Sequence, residues 1–191
     1  MRDIKKFNTL QGNEVPIKSI VVDACAMHFY FGGGCRGGDC ECPEICNKKP
    51  AAIRDIISKI DSKELKLVYT EQTLEKYLKT CPPDFKEIWI IWDNDGRVEQ
   101  HQRIDSLRVA KQLKQHGFSN EDYNFIIATN QTTTKLIITD DVDYWDPKCK
   151  GKQATHRAKE MLKLGKRGVV YKILEKNGIS PLSLPNAAGK F

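Results

Sequence analysis

Apolar residues fall along this chain in short runs and helical stripes separated by polar turns. Ser19 to Val22 (SIVV) is a compact Val/Ile run of strand length. In AAIRDIISKI, Ile53, Ile56, Ile57 and Ile60 recur at helical spacing, which predicts a helix over Ala51–Ile60. Leu65 to Tyr69 reads as a short alternating strand, with Thr70 as the cap of the helix TEQTLEKYLKT. That helix has to stop before Pro82-Pro83, because proline denies the helical region to the residue preceding it. EIWIIW (Glu87–Trp92) reads as a strand that turns at Asp93-Asn94-Asp95-Gly96. The acidic turn lacks the ligand spacing and closing Glu of an EF-hand, so turn chemistry explains it. A helix from about Val98 to His116 follows, with Ile104, Leu107 and Leu113 near one face and Gly117 as its stop. The pattern continues with a helix beginning near Asn120, a strand over Lys135–Thr139 and helices around Thr155–Leu164 and Gly168–Lys176. A short apolar stretch, Pro181–Leu184, comes last. Residues 1–16 read as an irregular lead-in, and 32–50 as a Gly- and Cys-rich insertion.

Strands alternating with helices predict an α/β fold, a three-layer α/β/α sandwich around a central, mainly parallel sheet. A length of 191 residues suits one domain over 1–191. Its core would span about 18–145, with the insertion at about 32–50 and an extension at about 146–191. Ligands of such sheets gather beyond the carboxyl ends of the strands. Two acids stand there: Asp23 ends the run SIVVD, and Asp141 follows the run KLIIT. Carboxylates at the ends of buried strands need partners, and hard divalent cations, which prefer oxygen ligands, would supply them. The topology therefore predicts that these two remote acids meet.

Charge changes the picture at the C-terminal end. Residues 1–145 carry 20 Lys/Arg and 22 Asp/Glu, while residues 146–191 carry 11 Lys/Arg against Asp146, Glu160 and Glu175. A basic quarter beside a carboxylate-bearing body suits a protein that handles polyanions, with cations for phosphates and acids for metal. A solvated Lys-rich helix is the plainer alternative. Lys148, Lys150, Lys152, Arg157, Lys159, Lys163, Lys166 and Arg167 are the candidate contacts to a nucleic-acid backbone. No apolar run approaches the ~18 residues a membrane helix needs. The N-terminus lacks the apolar core of a signal peptide, so cytoplasmic residence without membrane contact is the expectation.

Four motifs in order resemble the PIN domain, a family of small α/β nucleases that mostly cut single-stranded RNA with Mg²⁺ or Mn²⁺. They are IVVDACA with Asp23; Leu74-Glu75-Lys76-Tyr77 after Thr70; DYNFIIAT with Asp122; and Thr139-Asp140-Asp141-Val142-Asp143-Tyr144. The resemblance implies that Asp23, Glu75, Asp122 and Asp141 are metal-site carboxylates, with Asp143 as an auxiliary acid. Asp23 and Asp141 would be inner ligands; Glu75 and Asp122 would bind directly or through water, and Thr139 would hold a carboxylate or a water. Each acid also has a plainer reading. Glu75 and Glu71 lie four apart on one solvated helix face, Glu71 suits the helix dipole, Asp122 can be a helix cap, and Asp140 is expected to be solvated. Two departures stand out. Cys25 occupies a position that is often small and polar in the family, and the insertion enlarges the first interval.

Seven cysteines are present, four of them as Cys35-x4-Cys40-x-Cys42-x3-Cys46. Four soft ligands on a Gly-rich loop would close a structural tetrahedral Zn²⁺ site. Reduced thiols, disulfides or another metal are the alternatives. GGGCRGG lacks the Lys-Ser/Thr ending of a phosphate loop. Cys25 and Cys81 read as small core residues. Tyr144 and Trp145 would either stack on an unpaired base or pack in the core. The resulting expectation is a metal-dependent endoribonuclease acting on single-stranded RNA, of toxin–antitoxin or stress/defence type, restrained by an inhibitory protein partner and able to form a homodimer. The alternatives are a non-catalytic RNA-binding or scaffold module with this fold, and a nuclease processing structured RNA or DNA.

Overall fold

The computed structural model describes residues 6–8, 14–32, 43–104, 107–145, 168–187 and 189–191. Five strands form one all-parallel sheet: β3 (Ser19–Val22), β4 (Lys66–Tyr69), β5 (Val98–Gln100), β6 (Leu136–Ile138) and β7 (Ser180–Leu182). Their order is β5-β4-β3-β6-β7. Helices cover the sheet, and the fold is a three-layer α/β/α sandwich. The central strands read as near-continuous Val, Ile and Leu because a parallel sheet is buried on both faces. Ile20, Val21, Val22, Leu136, Ile137 and Ile138 are all fully buried.

The strand order decides where a ligand can bind. From β3 the chain winds outward through β4 to β5, then crosses back to β6 on the other side of β3. The chain leaves β3 and β6 in opposite lateral directions, which opens a crevice at their carboxyl ends. Val22 pairs with Ile138 at that edge, and the next residue, Asp23, donates its backbone N–H to the Ile138 carbonyl at 2.7 Å.

The described helices are α1 (Ala24–Phe31), α2 (Pro43–Asp61), α3 (Glu71–Thr80), α4 (Phe85–Asn94), α5 (Leu107–Gln115), α6 (Asn120–Asn130), α7 (Val169–Lys176) and α8 (Leu184–Ala187). Helix α6 packs on β3, β4 and β6, while α3 lies between α1 and α6. Thr70 and Thr73 form a reciprocal capping box that fixes the start of α3. No described helix is long and apolar enough to cross a membrane.

Several expectations need correction. The segment EIWIIW is the body of α4 and not a strand. Phe85, Trp89 and Trp92 are buried at helical spacing among Phe31, Tyr69 and Tyr77, whereas Ile90 and Ile91 face outward. A continuous apolar run cannot reveal its period, and here aromatic packing selects the helix. Asp93 and Asn94 close that helix, and Gly96 supplies the positive φ of the turn. The helix expected from Val98 is shorter, because Val98–Gln100 pairs with β4 as an edge strand. Ile104 is exposed and precedes α5; Leu113 is buried on it. The insertion also ends earlier than expected, since helix already begins at Pro43 and runs through Pro50. Within the lead-in, β1 (Lys6–Asn8) and β2 (Glu14–Pro16) pair antiparallel, too short a ladder to leave a periodic signal. The helix expected around Thr155–Leu164 lies outside the described residues.

Candidate metal centre

Asp23 reaches the crevice because β3 ends there and α1 begins. It caps α1, its Oδ1 accepting the Ala24 N–H at 2.7 Å. Its Oδ2 accepts from the Thr139 hydroxyl at 2.9 Å. Thr139, one residue past β6, has its Oγ1 accept in turn from the backbone N–H of Asp141 at 3.0 Å. One buried hydroxyl thus holds both strand-end acids in register. Asp141 caps a short 3₁₀ turn over Val142–Tyr144, its Oδ1 accepting from the Asp143 N–H at 2.9 Å. Its Oδ2 takes a contact from the Cys25 thiol at 3.9 Å. Ligand atoms of Asp23, Cys25 and Asp141 lie within 4.8 Å of one another.

Asp122 comes from the first turn of α6. Ser119 caps that helix through the Asp122 N–H at 3.0 Å and donates its hydroxyl to Asp122 Oδ2 at 2.6 Å. Asp122 is thus not the cap residue itself, and its carboxylate is close enough to act on Asp23. The buried Tyr144 hydroxyl donates to the Asp122 backbone carbonyl at 3.3 Å, joining the third and fourth motifs.

The electrostatics follow from burial. Asp23 is 2% exposed. Desolvation first, and then the charges of Asp141 and Asp122, push its carboxyl up to about 7, against the opposing hydrogen bonds of Thr139 and Ala24. Asp122 is raised as well, chiefly by desolvation, with Ser119 and Lys76 pulling it back. Cys25 is exposed as a residue. Its thiol is nonetheless raised, by desolvation around the sulfur and then by Asp23, Asp141 and Asp122. Such a set of acids is costly without a cation. The carboxylates of Asp23 and Asp141 offer hard oxygen donors, and the Cys25 thiol, whose sulfur lies within 4.8 Å of both, adds a softer one.

The structure brings together Asp23 and Asp141 with Cys25, places Asp122 near enough for its charge to act on Asp23, and hydrogen-bonds the Asp143 N–H to Asp141. It does not bring Glu75 to them. Glu75 is exposed on α3. The α3 side chain that acts on Asp122 and Cys25 is its neighbour, Lys76, which donates to Glu121. The physical reason is helical rotation. Thr73 and Tyr77 form the buried face of α3, so position 76 borders the crevice while position 75 turns to solvent. The Thr70 cap together with the Thr73–Tyr77 spacing carries that phase in the sequence, although the L-E-x-Y match points one residue too early.

Other expectations resolve in the same region. Asp140 is not solvated: its carboxylate accepts the Leu184 N–H at 3.1 Å and pairs with Lys49 at 2.7 Å. Tyr144 and Trp145 are buried against Phe118 and Tyr171, which leaves core packing as their role. Cys81 is buried as expected, whereas Cys25 is not. Cys35, Cys40 and Cys42 lie outside the described residues, as does the side chain of Cys46. So do Lys148, Lys150, Lys152, Arg157, Lys159, Lys163, Lys166 and Arg167. Comparison with protein-family models, with curated proteins and with solved structures finds no match for this chain.

Proposed function

We propose that this protein is a PIN-like, Mg²⁺- or Mn²⁺-dependent endoribonuclease that hydrolyses phosphodiester bonds of single-stranded RNA. The observation that carries the reading is the meeting of Asp23 and Asp141 at the switch point between β3 and β6, where Asp23 is buried without a neutralising partner and feels the charge of Asp122 as well. A fold does not spend buried carboxylates on stability, since like charges in a dry crevice oppose one another. They are tolerable where a cation is part of the working state.

A divalent ion in this crevice supplies positive charge for the phosphoryl oxygens and makes water more acidic. The chain does the rest. Asp23 and Asp141 offer the inner oxygens, oriented by the Thr139 hydroxyl and by the backbone N–H groups of Ala24 and Asp143. Asp122, set by Ser119, lies at the edge of the group and suits a water-bridged role. The basic residues after Asp146 would carry the RNA backbone, and restraint by a partner protein would act by covering the crevice.

The decisive experiment incubates the purified full-length chain with single-stranded RNA, with Mn²⁺ or with EDTA, beside Asp23→Asn and Asp141→Asn. Cleavage that needs Mn²⁺ and is lost in both variants is expected. Cleavage in EDTA, or variants as active as the parent, would refute the mechanism.

A further inference from the structure

Lys76 borders the acid group at a position set by its own helix. Tyr77, the next residue, is fully buried and donates its hydroxyl to the carbonyl of Val22, which immediately precedes Asp23. This bond ties α3 to the end of β3, so Lys76 is carried to the crevice by a rigid element. Its ammonium bridges α3 to α6 by pairing with Glu121, the residue before Asp122. The Lys76 side chain is 28% exposed and that of Glu121 is 56% exposed, so the pair is open to solvent and to a ligand arriving from it. The charge of Lys76 acts on Asp122 and on Cys25. The pair with Glu121 makes the crevice asymmetric. Ligand atoms of Asp23, Cys25 and Asp141 lie within 4.8 Å of one another, and outside that group the Lys76 ammonium is held by the residue before Asp122.

That asymmetry bears on how many metal ions the site can take. Centres with two ions place one at each end of the reacting phosphate, about 3.5–4 Å apart. A second ion at the Asp122 end would have to approach a fixed positive charge. The same charge is well placed to receive a phosphate oxygen, because lysine binds phosphate as a compact, rotatable donor. Glu121 is exposed and can release it into water at little cost.

We propose that Lys76 is the second cation of this centre: a single divalent ion is held by the Asp23–Asp141 end, and the Lys76 ammonium takes a non-bridging oxygen of the substrate phosphate. The inference rests on the metal-dependent nuclease reading above and adds to it the ion count and a substrate contact. In the hydrolysis, the oxygen of water bonds to phosphorus as the ester P–O bond breaks. The bonding pair leaves with the departing oxygen, and the proton lost by water ends there. Lys76 keeps its proton throughout and contributes charge alone.

The test counts ions and separates binding from turnover. Mn²⁺ is titrated into the metal-free full-length chain, and the free ion is followed by electron paramagnetic resonance. One equivalent is expected for the parent and for Lys76→Gln, and two for Lys76→Glu, which puts a carboxylate where the ammonium stood. With single-stranded RNA and Mn²⁺, Lys76→Gln is expected to lower kcat by ~100-fold, the scale of a lost donor to a developing charge, and Lys76→Arg to recover part of it. Should Lys76→Glu not fold, as judged by circular dichroism, the parent ion count and the Gln and Arg kinetics carry the test. Two equivalents bound by the parent, or a kcat for Lys76→Gln within threefold of it, would overturn the role of Lys76 and leave the nuclease reading standing. A parent that binds no ion would remove both.

Discussion

Asp23→Asn should make the metal-free protein more stable, and only on the alkaline side. The carboxyl of Asp23 titrates near 3.8 when exposed and at about 7 in the fold, because burial and the charges of Asp141 and Asp122 oppose its ionisation. Between those values the folded chain holds a proton that the unfolded chain has lost, so stability falls as pH rises through that window. Below the window both states are protonated and nothing is lost; above it the whole penalty applies. A gap of ~3 pH units at ~1.4 kcal/mol each amounts to ~4 kcal/mol. Asparagine removes the titration and retains the oxygen that accepts the Ala24 N–H, but it gives up the hydrogen bond from Thr139, worth ~1 kcal/mol. The variant should therefore exceed the parent by ~3 kcal/mol at pH 8, a rise in Tm of ~6–12 °C for a chain of this size. Urea unfolding followed by tryptophan fluorescence in EDTA, at pH 5 and pH 8, measures this directly. The gap between variant and parent should widen by ~3 kcal/mol from the lower pH to the higher, and titrating groups distant from Asp23 cancel in that comparison. Saturating Mn²⁺ should then reverse the order, because the ion stabilises the folded parent in proportion to its affinity. A gap that does not change with pH, or a variant less stable than the parent at pH 8, would refute the account of Asp23 as a buried charge awaiting a cation.

Two further substitutions test how the centre is built. Thr139→Val removes the hydroxyl that links Asp23 to the Asp141 backbone and should weaken Mn²⁺ binding by ~10-fold or more, measured by calorimetry, the usual cost of losing a group that orients a ligand; unchanged affinity would mean the acids orient themselves. Glu75→Ala, on the exposed face of α3, should leave Mn²⁺ affinity and RNA cleavage within about twofold of the parent and change stability by less than ~0.5 kcal/mol. A large loss there would restore Glu75 to the metal set.

How far the site could be read from the residues depended on the kind of signal each one carried. Asp23 and Asp141 were legible because a polar residue closing a fully apolar strand stands out in one dimension, and parallel sheets collect such ends on one edge. Asp122 was legible only as an acid in the first turn of a helix; that Ser119 caps the helix, freeing the Asp122 carboxylate for the crevice, depends on a backbone geometry the pattern does not encode. Glu75 against Lys76 turned on about 100° of helical rotation. Local composition favoured the acid, and the burial of Thr73 and Tyr77 favoured the lysine. The aromatic run of α4 failed as a strand for a related reason, since its helical phase is decided by the rings of Phe31, Tyr69 and Tyr77 that it meets.

The sequence by itself determined the alternation of strands and helices, the parallel sheet that follows from it, and the two strand-end acids, because these depend on local periodicity and on which residues cannot stay in water. Only the tertiary structure decided that the strand order reverses between β3 and β6, that Thr139 joins Asp23 to Asp141, and that the Lys76 ammonium pairs with Glu121, the residue before Asp122. Those facts arise from contacts between residues 45 to 116 positions apart in the chain, where packing and shared hydrogen bonds, and not local propensity, set the outcome.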